Sequence, residues 1–75
     1  MQNGKYIVYE DGSADVFPPT QQHIDVATAS GKKPISAGFF TTEDFRVSTT
    51  GLSDSLNLDS RVEDAAAVSQ AIINQ

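Results

Sequence analysis

The chain has no cysteine and few basic residues, and each of these features excludes some classes of functional site. Without cysteine it forms no disulfide, no thiolate metal site and no cysteine nucleophile. It has 5 Lys and Arg residues against 10 Asp and Glu residues, for a net charge of −5. Binding a nucleic-acid backbone needs a concentrated basic patch that releases counterions. We therefore expect no direct nucleic-acid partner, whereas an acidic surface suits a basic protein partner.

Long hydrophobic runs are also missing. Only four apolar or aromatic residues lie between Lys5 and Glu10, far short of a signal-peptide core or a membrane-spanning helix. We expect no membrane partner and a cytoplasmic location. With 75 residues the chain has room for one core, so a single domain over residues 1–75 is predicted. Small scaffolds without disulfides often gain stability by self-association, which leaves a homo-oligomer as an open alternative.

A hairpin signal, Asp11-Gly12, separates two segments rich in β-branched and aromatic residues, 5–9 and 14–17. Asp-Gly favours a two-residue type I′ turn, because both residues tolerate positive φ. Such a loop predicts that one apolar face, the expected core, consists of two facing pairs: Tyr9 with Ala14, and Ile7 with Val16. Pro18-Pro19 should end the second strand, since proline donates nothing to a ladder.

The middle of the chain predicts a short helix. Thr20 is a good capping residue, and Gly31 suits the left-handed conformation that ends many helices. A helix over 21–29 follows, with Ile24, Ala27 and Val26 as its inward residues.

A second hairpin is indicated by the alternating segments 35–40 and 45–49. A four-residue loop would pair Phe40 with Phe45, and a five-residue loop would pair Phe39 with Phe45. One step of register reverses the faces, so both alternatives stay open.

The last quarter of the chain predicts a capped helix. Ser60 and Glu63 have the spacing of a capping box, which indicates a helix from Arg61 to Asn74. Its apolar stripe has Val68 at the margin and otherwise consists of Val62, Ala65, Ala66, Ser69, Ile72 and Ile73. The element order predicts an α+β fold (ββαββα), in which two hairpins form a four-stranded antiparallel sheet with both helices on one face.

No residue set matches a catalytic or metal-binding pattern. His23 and Asp25 are two residues apart and would point in different directions on a helix. The carboxylates between Asp54 and Asp64 lack the ligand spacing of a calcium loop. The segment 51–53 begins like a nucleophile elbow but lacks the closing glycine and a base. We therefore expect a protein that is not an enzyme and that binds no metal or cofactor.

Six aromatic residues are more than one covered face of so small a sheet needs. Aromatic side chains are enriched among the anchors of protein interfaces. We therefore expect some of them to be exposed beside acidic residues, in a protein-binding surface made of Tyr6, Phe17, Phe40, Glu43 and Asp44. The alternative, a core that wraps around these aromatic residues, stays open.

Two segments of the chain have a familiar order of residues. The first is Lys33-Pro34-Ile35-Ser36-Ala37-Gly38-Phe39, and the second is Gly51-x-Ser53-x-Ser55-Leu56-x-Leu58-x-Ser60-Arg61-x-Glu63-Asp64. Together with the Tyr-Glu-Asp-Gly hairpin and the helix that contains His23, they resemble short uncharacterised proteins encoded by bacteriophages and prophages. The resemblance implies an accessory phage product in a bacterial cytoplasm.

Small acidic phage proteins often bind and inhibit a host protein. The leading hypothesis is therefore a non-enzymatic protein-binding module with a host protein as partner, in host takeover or counter-defence. A second hypothesis is an oligomer that sequesters a nucleotide or another anion near a helix N-terminus, where amides and the helix dipole attract negative charge. Its ligand-binding residues would be Ser53, Ser55, Ser60 and Arg61. A minor virion or assembly component is a third alternative.

Overall fold

The computed structural model describes residues 2–74 of the chain. The elements in chain order are β1 (Gln2–Tyr9), β2 (Ala14–Phe17), α1 (His23–Ser30), β3 (Pro34–Glu43), β4 (Arg46–Thr50), β5 (Leu52–Ser53), β6 (Leu58–Asp59) and α2 (Asp64–Ile73). The first four strands form an antiparallel sheet in the order β2-β1-β3-β4. The predicted α+β fold is thereby confirmed. The short β5–β6 hairpin was not expected.

The two helices lie on opposite faces of the sheet, so the expectation of one shared face is wrong. Side chains alternate along a strand, and β1 accordingly contributes to two separate cores. The core under α1 and the β5–β6 hairpin consists of Ile7, Tyr9, Phe17, Ala27 and Ala37, with Val26, Leu56 and Leu58 packed against it. The core under α2 consists of Tyr6, Val8, Phe40 and Val68, flanked by Ala14, Val16, Val47, Ala67 and Ile72.

Covering both faces also buries three aromatic residues that were expected to be exposed. Tyr6 is 0% exposed, Phe40 2% and Phe17 8%. A sheet with two covered faces has twice the buried surface that the sequence argument allowed. The alternative that the core wraps around these residues is the one that the structure bears out.

The β1–β2 hairpin has a three-residue loop instead of the predicted two-residue loop. Tyr9 donates its backbone N–H to Ser13 O at 2.8 Å, and Gly12 donates to Tyr9 O at 2.9 Å. Gly12 takes the left-handed conformation, with φ 88°. The extra residue shifts the register by one, so Ile7 pairs with Asp15. Ala14 and Val16 therefore face α2, and not the core of Ile7 and Tyr9.

Both helices begin later than predicted. α1 starts at His23, and its N-cap residue Gln22 makes no side-chain capping bond, so Thr20 is not the cap. Its end at Gly31, with φ 69°, is as predicted. Ala27 faces inward as expected, but Ile24 is 43% exposed.

α2 begins at Asp64, and the capping box predicted from Ser60 and Glu63 does not form. Val68, expected at the margin of the helix stripe, is fully buried. Val62, expected within the stripe, precedes the helix and is 92% exposed.

The carboxylate of Asp64 joins α2 to the sheet. Its Oδ2 accepts the Tyr6 hydroxyl at 2.6 Å and the Arg61 backbone N–H at 2.8 Å. Its Oδ1 accepts the Ser36 hydroxyl at 2.8 Å and the Arg61 guanidinium at 2.9 Å from Nε and 2.8 Å from Nη2. Burial alone would raise the pKa of Asp64, but these donors together hold the pKa below its usual value. Burial, together with the hydrogen bond to the Asp64 carboxylate, raises the pKa of Tyr6.

Asp64→Asn should lower the free energy of unfolding by about 3–5 kcal/mol, because it breaks a buried charge network from one side. That is a large part of the total, which for a chain of this size is roughly 4–11 kcal/mol. Urea denaturation measures the change, with the exposed Asp59→Asn as control, expected within about 0.5 kcal/mol of the wild type. Equal urea midpoints for Asp64→Asn and the wild type would contradict this role.

Strongly acidic pH should destabilise the fold by protonating the Asp64 carboxylate. Because the folded pKa of Asp64 is depressed, its contribution to stability is complete above the unfolded value of about 3.9 and is lost as the pH falls below it. Denaturation series between neutral pH and strongly acidic pH should therefore show a steeper loss for the wild type than for Asp64→Asn. Parallel curves would show that another group causes the acid transition.

Candidate functional site

β3 and β4 meet in a two-residue turn, Asp44-Phe45. Glu43 pairs with Arg46 across this turn, so neither of the two registers considered from the sequence is right. Asp44 has φ 50° and Phe45 has φ 66°, the positive values of a type I′ turn. Asn, Asp and Gly tolerate this region, whereas a bulky side chain is strained in it. We call Glu43, Asp44 and Phe45 the hairpin tip.

Phe45 is fully exposed, at 107% of its reference surface. Within residues 2–74, none of the aromatic or cation–π contacts involves its ring. A left-handed backbone costs an ordinary residue roughly 1–2 kcal/mol, and the exposed ring recovers little of this by packing. The fold therefore does not explain why an aromatic residue occupies this turn.

A groove of about 560 Å³ lies between the hairpin tip and the last turns of α2. Its lining is Thr42, Glu43, Asp44, Phe45, Val47, Ser69, Ile72 and Ile73. Ile73 is 73% exposed, so the groove presents apolar surface to solvent. The described residues that line it include two carboxylates and no basic side chain, and the C-terminal end of α2 adds negative partial charge. The groove is thus apolar with an acidic rim, whereas Arg46 lies beside Glu43 and Asp44 on the other side of the hairpin tip.

Two of the five residues predicted for protein binding, Glu43 and Asp44, lie on this surface and are exposed. The three buried aromatic residues do not. Phe45 and Ile73, which the sequence argument left out, take their place. A two-residue loop was not considered for this hairpin, and it would have put Phe45 at a turn position that aromatic residues rarely occupy.

The residues predicted to bind an anion lie in and after the β5–β6 hairpin. The Ser53 hydroxyl accepts the Leu56 N–H at 3.2 Å, and the Ser55 hydroxyl accepts the Ile24 N–H at 3.2 Å. Both hydroxyls therefore hold the loop and the start of α1 in place.

Ser60 and Arg61 are likewise used within the fold. Ser60 donates its N–H to Gly51 O at 3.1 Å, and the Arg61 guanidinium contacts the Asp64 carboxylate. That carboxylate lies at the N-terminus of α2, where an anion would have to bind. The anion-binding hypothesis stays a prediction, and these contacts add no support to it.

His23 is buried at the start of α1. Its Nε2–H donates to Gly38 O at 2.9 Å, and its ring makes edge-to-face contacts with Phe17 at 5.5 Å and Phe39 at 5.9 Å between centroids. Burial lowers the pKa of His23, although the Gly38 carbonyl partly opposes the shift. The imidazole is therefore neutral at pH 7 and acts as a packing residue with one buried hydrogen bond.

Among residues 2–74 no group of three or more His, Asp or Glu side chains is arranged to hold a metal ion. Over the same range no helix is both long enough and apolar enough to cross a bilayer. The chain matches no protein-family model, no curated protein and no solved structure.

Mild acid should destabilise the fold through His23. The folded pKa of His23 lies below the unfolded value of about 6.5. The contribution of His23 to stability is therefore complete above that pH and is lost as the pH drops towards the folded pKa. His23→Gln keeps a donor for Gly38 O but does not titrate. Its unfolding free energy, lower at neutral pH, should change less than that of the wild type between pH about 7 and 5. If the unfolding free energies of the wild type and His23→Gln change equally with pH, another group causes the loss of stability.

Phe45→Gly should raise the free energy of unfolding by about 1 kcal/mol, because glycine takes positive φ without strain. For a domain of this size that corresponds to a rise in Tm of about 4–8 °C. Phe45→Ala keeps the Cβ and therefore the strain, so it is the matched control and no comparable rise is expected. A lower Tm for Phe45→Gly would show that the ring contributes to the fold.

Proposed function

We propose that this protein is a non-enzymatic protein-binding module that uses Phe45 as the anchor of its interface. One observation carries the proposal. Phe45 is fully exposed in a strained backbone conformation, at a turn where the fold would be more stable with glycine. Strained residues persist when the surrounding structure holds them, and they cluster at functional sites. Exposed aromatic anchors are typical of interface hot spots.

The surroundings of Phe45 describe the partner's chemistry. An aromatic ring that projects from a turn needs an apolar pocket to enter. Glu43 and Asp44 beside it favour Lys or Arg at the rim of that pocket. The net charge of −5 should also speed the encounter with a basic surface.

The short turn also suits a binding role energetically. A two-residue loop between paired strands has few alternative conformations, so little entropy is lost when it docks. The anchor itself has two side-chain torsions, which keeps the loss of rotamer freedom small.

The partner that we propose is a host protein in a bacterial cytoplasm, which the chain inhibits by covering a functional pocket. The support is the resemblance to small phage-encoded proteins, together with the acidic charge of the hairpin tip. Inhibition of a host-defence protein and redirection of a host enzyme are both compatible with this mode of binding.

Phe45→Ala should weaken the complex about 30-fold or more, as loss of a hot-spot anchor of about 2 kcal/mol does. The partner would be captured on the wild type from a bacterial lysate, identified, purified and titrated against each variant by calorimetry. Ile24→Ala, on the other face of the sheet and 43% exposed, is the matched control and should bind like the wild type.

The acidic rim should act mainly on the association rate. Glu43→Gln with Asp44→Asn should slow association at low ionic strength and have little effect at high salt, because exposed charges are screened. A captured protein that binds Phe45→Ala as tightly as the wild type would remove the hairpin tip from the interface.

A further inference from the structure

The outer edge of β4 carries backbone hydrogen-bonding groups that point away from β3. In a two-residue hairpin the residues that flank the turn, Glu43 and Arg46, form a hydrogen-bonded pair. Such pairs alternate along antiparallel strands, so the N–H and C=O groups of Val47 and Thr49 point away from β3. Over residues 2–74 these groups take part in none of the backbone hydrogen bonds outside the strand pairings, and β4 pairs only with β3.

This edge also lacks the features that normally prevent strand addition. Proteins protect sheet edges with proline, lysine, bulges or inward-pointing charges. β4 contains none of these and consists largely of β-branched and hydroxyl residues, with Arg46 at its start. The opposite edge, β2, carries Asp15 and is followed by Pro18-Pro19.

We propose that β4 pairs with β4 of a second copy of this chain, in an antiparallel dimer that extends the sheet across a two-fold axis. Val47 lies opposite Thr49 of the second copy, and these two residues exchange their backbone hydrogen bonds. Ser48 lies on the axis, opposite its own counterpart.

The side chains fit this register. Ser48 lies opposite the neutral hydroxyl of Ser48 of the second copy, and Arg46 lies opposite Thr50 of that copy. No like charges are therefore directly opposed. The same symmetric pairing through β2 would put Asp15 opposite Asp15, which disfavours that edge. The sequence therefore permits self-pairing at one edge and opposes it at the other.

The dimer also brings together two aliphatic residues that are otherwise exposed. Thr49 donates its hydroxyl to Arg61 O at 3.0 Å, which puts the neighbouring Val62 near that end of β4. Val47 and Ile73 line the same groove near the other end. Because Thr49 lies opposite Val47 of the second copy, this register puts the end of β4 near Val62 beside the end of β4 near Ile73 of that copy. These residues are 92% and 73% exposed in the single chain.

This proposal does not depend on the partner suggested for Phe45. The axis passes through Ser48, so the two hairpin tips lie away from it on either side. If both proposals hold, the dimer presents two anchors and gains affinity for a partner with two sites.

Sedimentation equilibrium over a concentration series tests the dimer. We expect the wild type to reach twice its monomer mass of 8.0 kDa. Ser48→Asp should raise the dimer dissociation constant about tenfold or more, because it opposes two carboxylates across the axis. Ser48→Asn, of similar size and neutral, should still dimerise. Ser48 is exposed, so both variants should keep the wild-type fold, which circular dichroism checks.

Amide hydrogen exchange identifies the surface. In the wild-type dimer the amides of Val47 and Thr49 should be protected, and in Ser48→Asp they should exchange rapidly while the Ser48 amide, bonded to β3, stays protected. Thr49→Pro should also give a folded monomer, whereas Thr49→Val, which keeps the N–H, should stay dimeric. A wild type that is monomeric at millimolar concentration overturns the proposal. So does a dimer in which the Val47 and Thr49 amides exchange rapidly.

Discussion

The buried carboxylate of Asp64 is the contact that fixes α2 on the sheet. It joins Tyr6 of β1 and Ser36 of β3, which are 58 and 28 residues away in the chain, to the backbone and side chain of Arg61. A carboxylate in the interior is costly unless every donor is in place. Apolar contacts alone would hold α2 less specifically, because three of its first four residues are alanines and small side chains allow a helix to slide. The network thus specifies one position for α2.

The position of α2 on one face of the sheet determines how the remaining elements are arranged. With α2 held on one face of the sheet, the opposite face is left for α1 and the β5–β6 hairpin. Four of the six aromatic residues divide between the two cores, Tyr9 and Phe17 in one and Tyr6 and Phe40 in the other. The end of the β3–β4 hairpin extends past the core under α2, of which Val47 and Ile72 are the nearest flanking members. The hairpin tip is therefore the part of the sheet that packing constrains least, and its side chains are available for contacts outside the fold.

Local patterns predicted the elements better than their relations. Strand alternation, Pro18-Pro19 and Gly31 depend on neighbours in sequence, and the sheet, the end of β2 and the end of α1 follow from them. The capping box predicted from Ser60 and Glu63 does not form, and Asp64 instead accepts the backbone N–H of Arg61 three residues earlier, while its other partners, Tyr6 and Ser36, are distant in sequence. One extra loop residue at Gly12 changed which side chains of β2 face which core. For the candidate site, charge alone pointed to Glu43 and Asp44, whereas Phe45 required the turn length.

The hairpin tip can carry a strained residue because other contacts already determine its register. β3 is held along its length by β1, and Val47 packs against the core under α2, so the turn between β3 and β4 has one available length. Strain of roughly 1–2 kcal/mol in the turn is then tolerated without a change of pairing. Selection on stability alone would favour glycine at position 45, which removes the strain at no cost in packing. The fold does not explain an aromatic residue there, and the proposed protein-binding role of the hairpin tip rests on this observation.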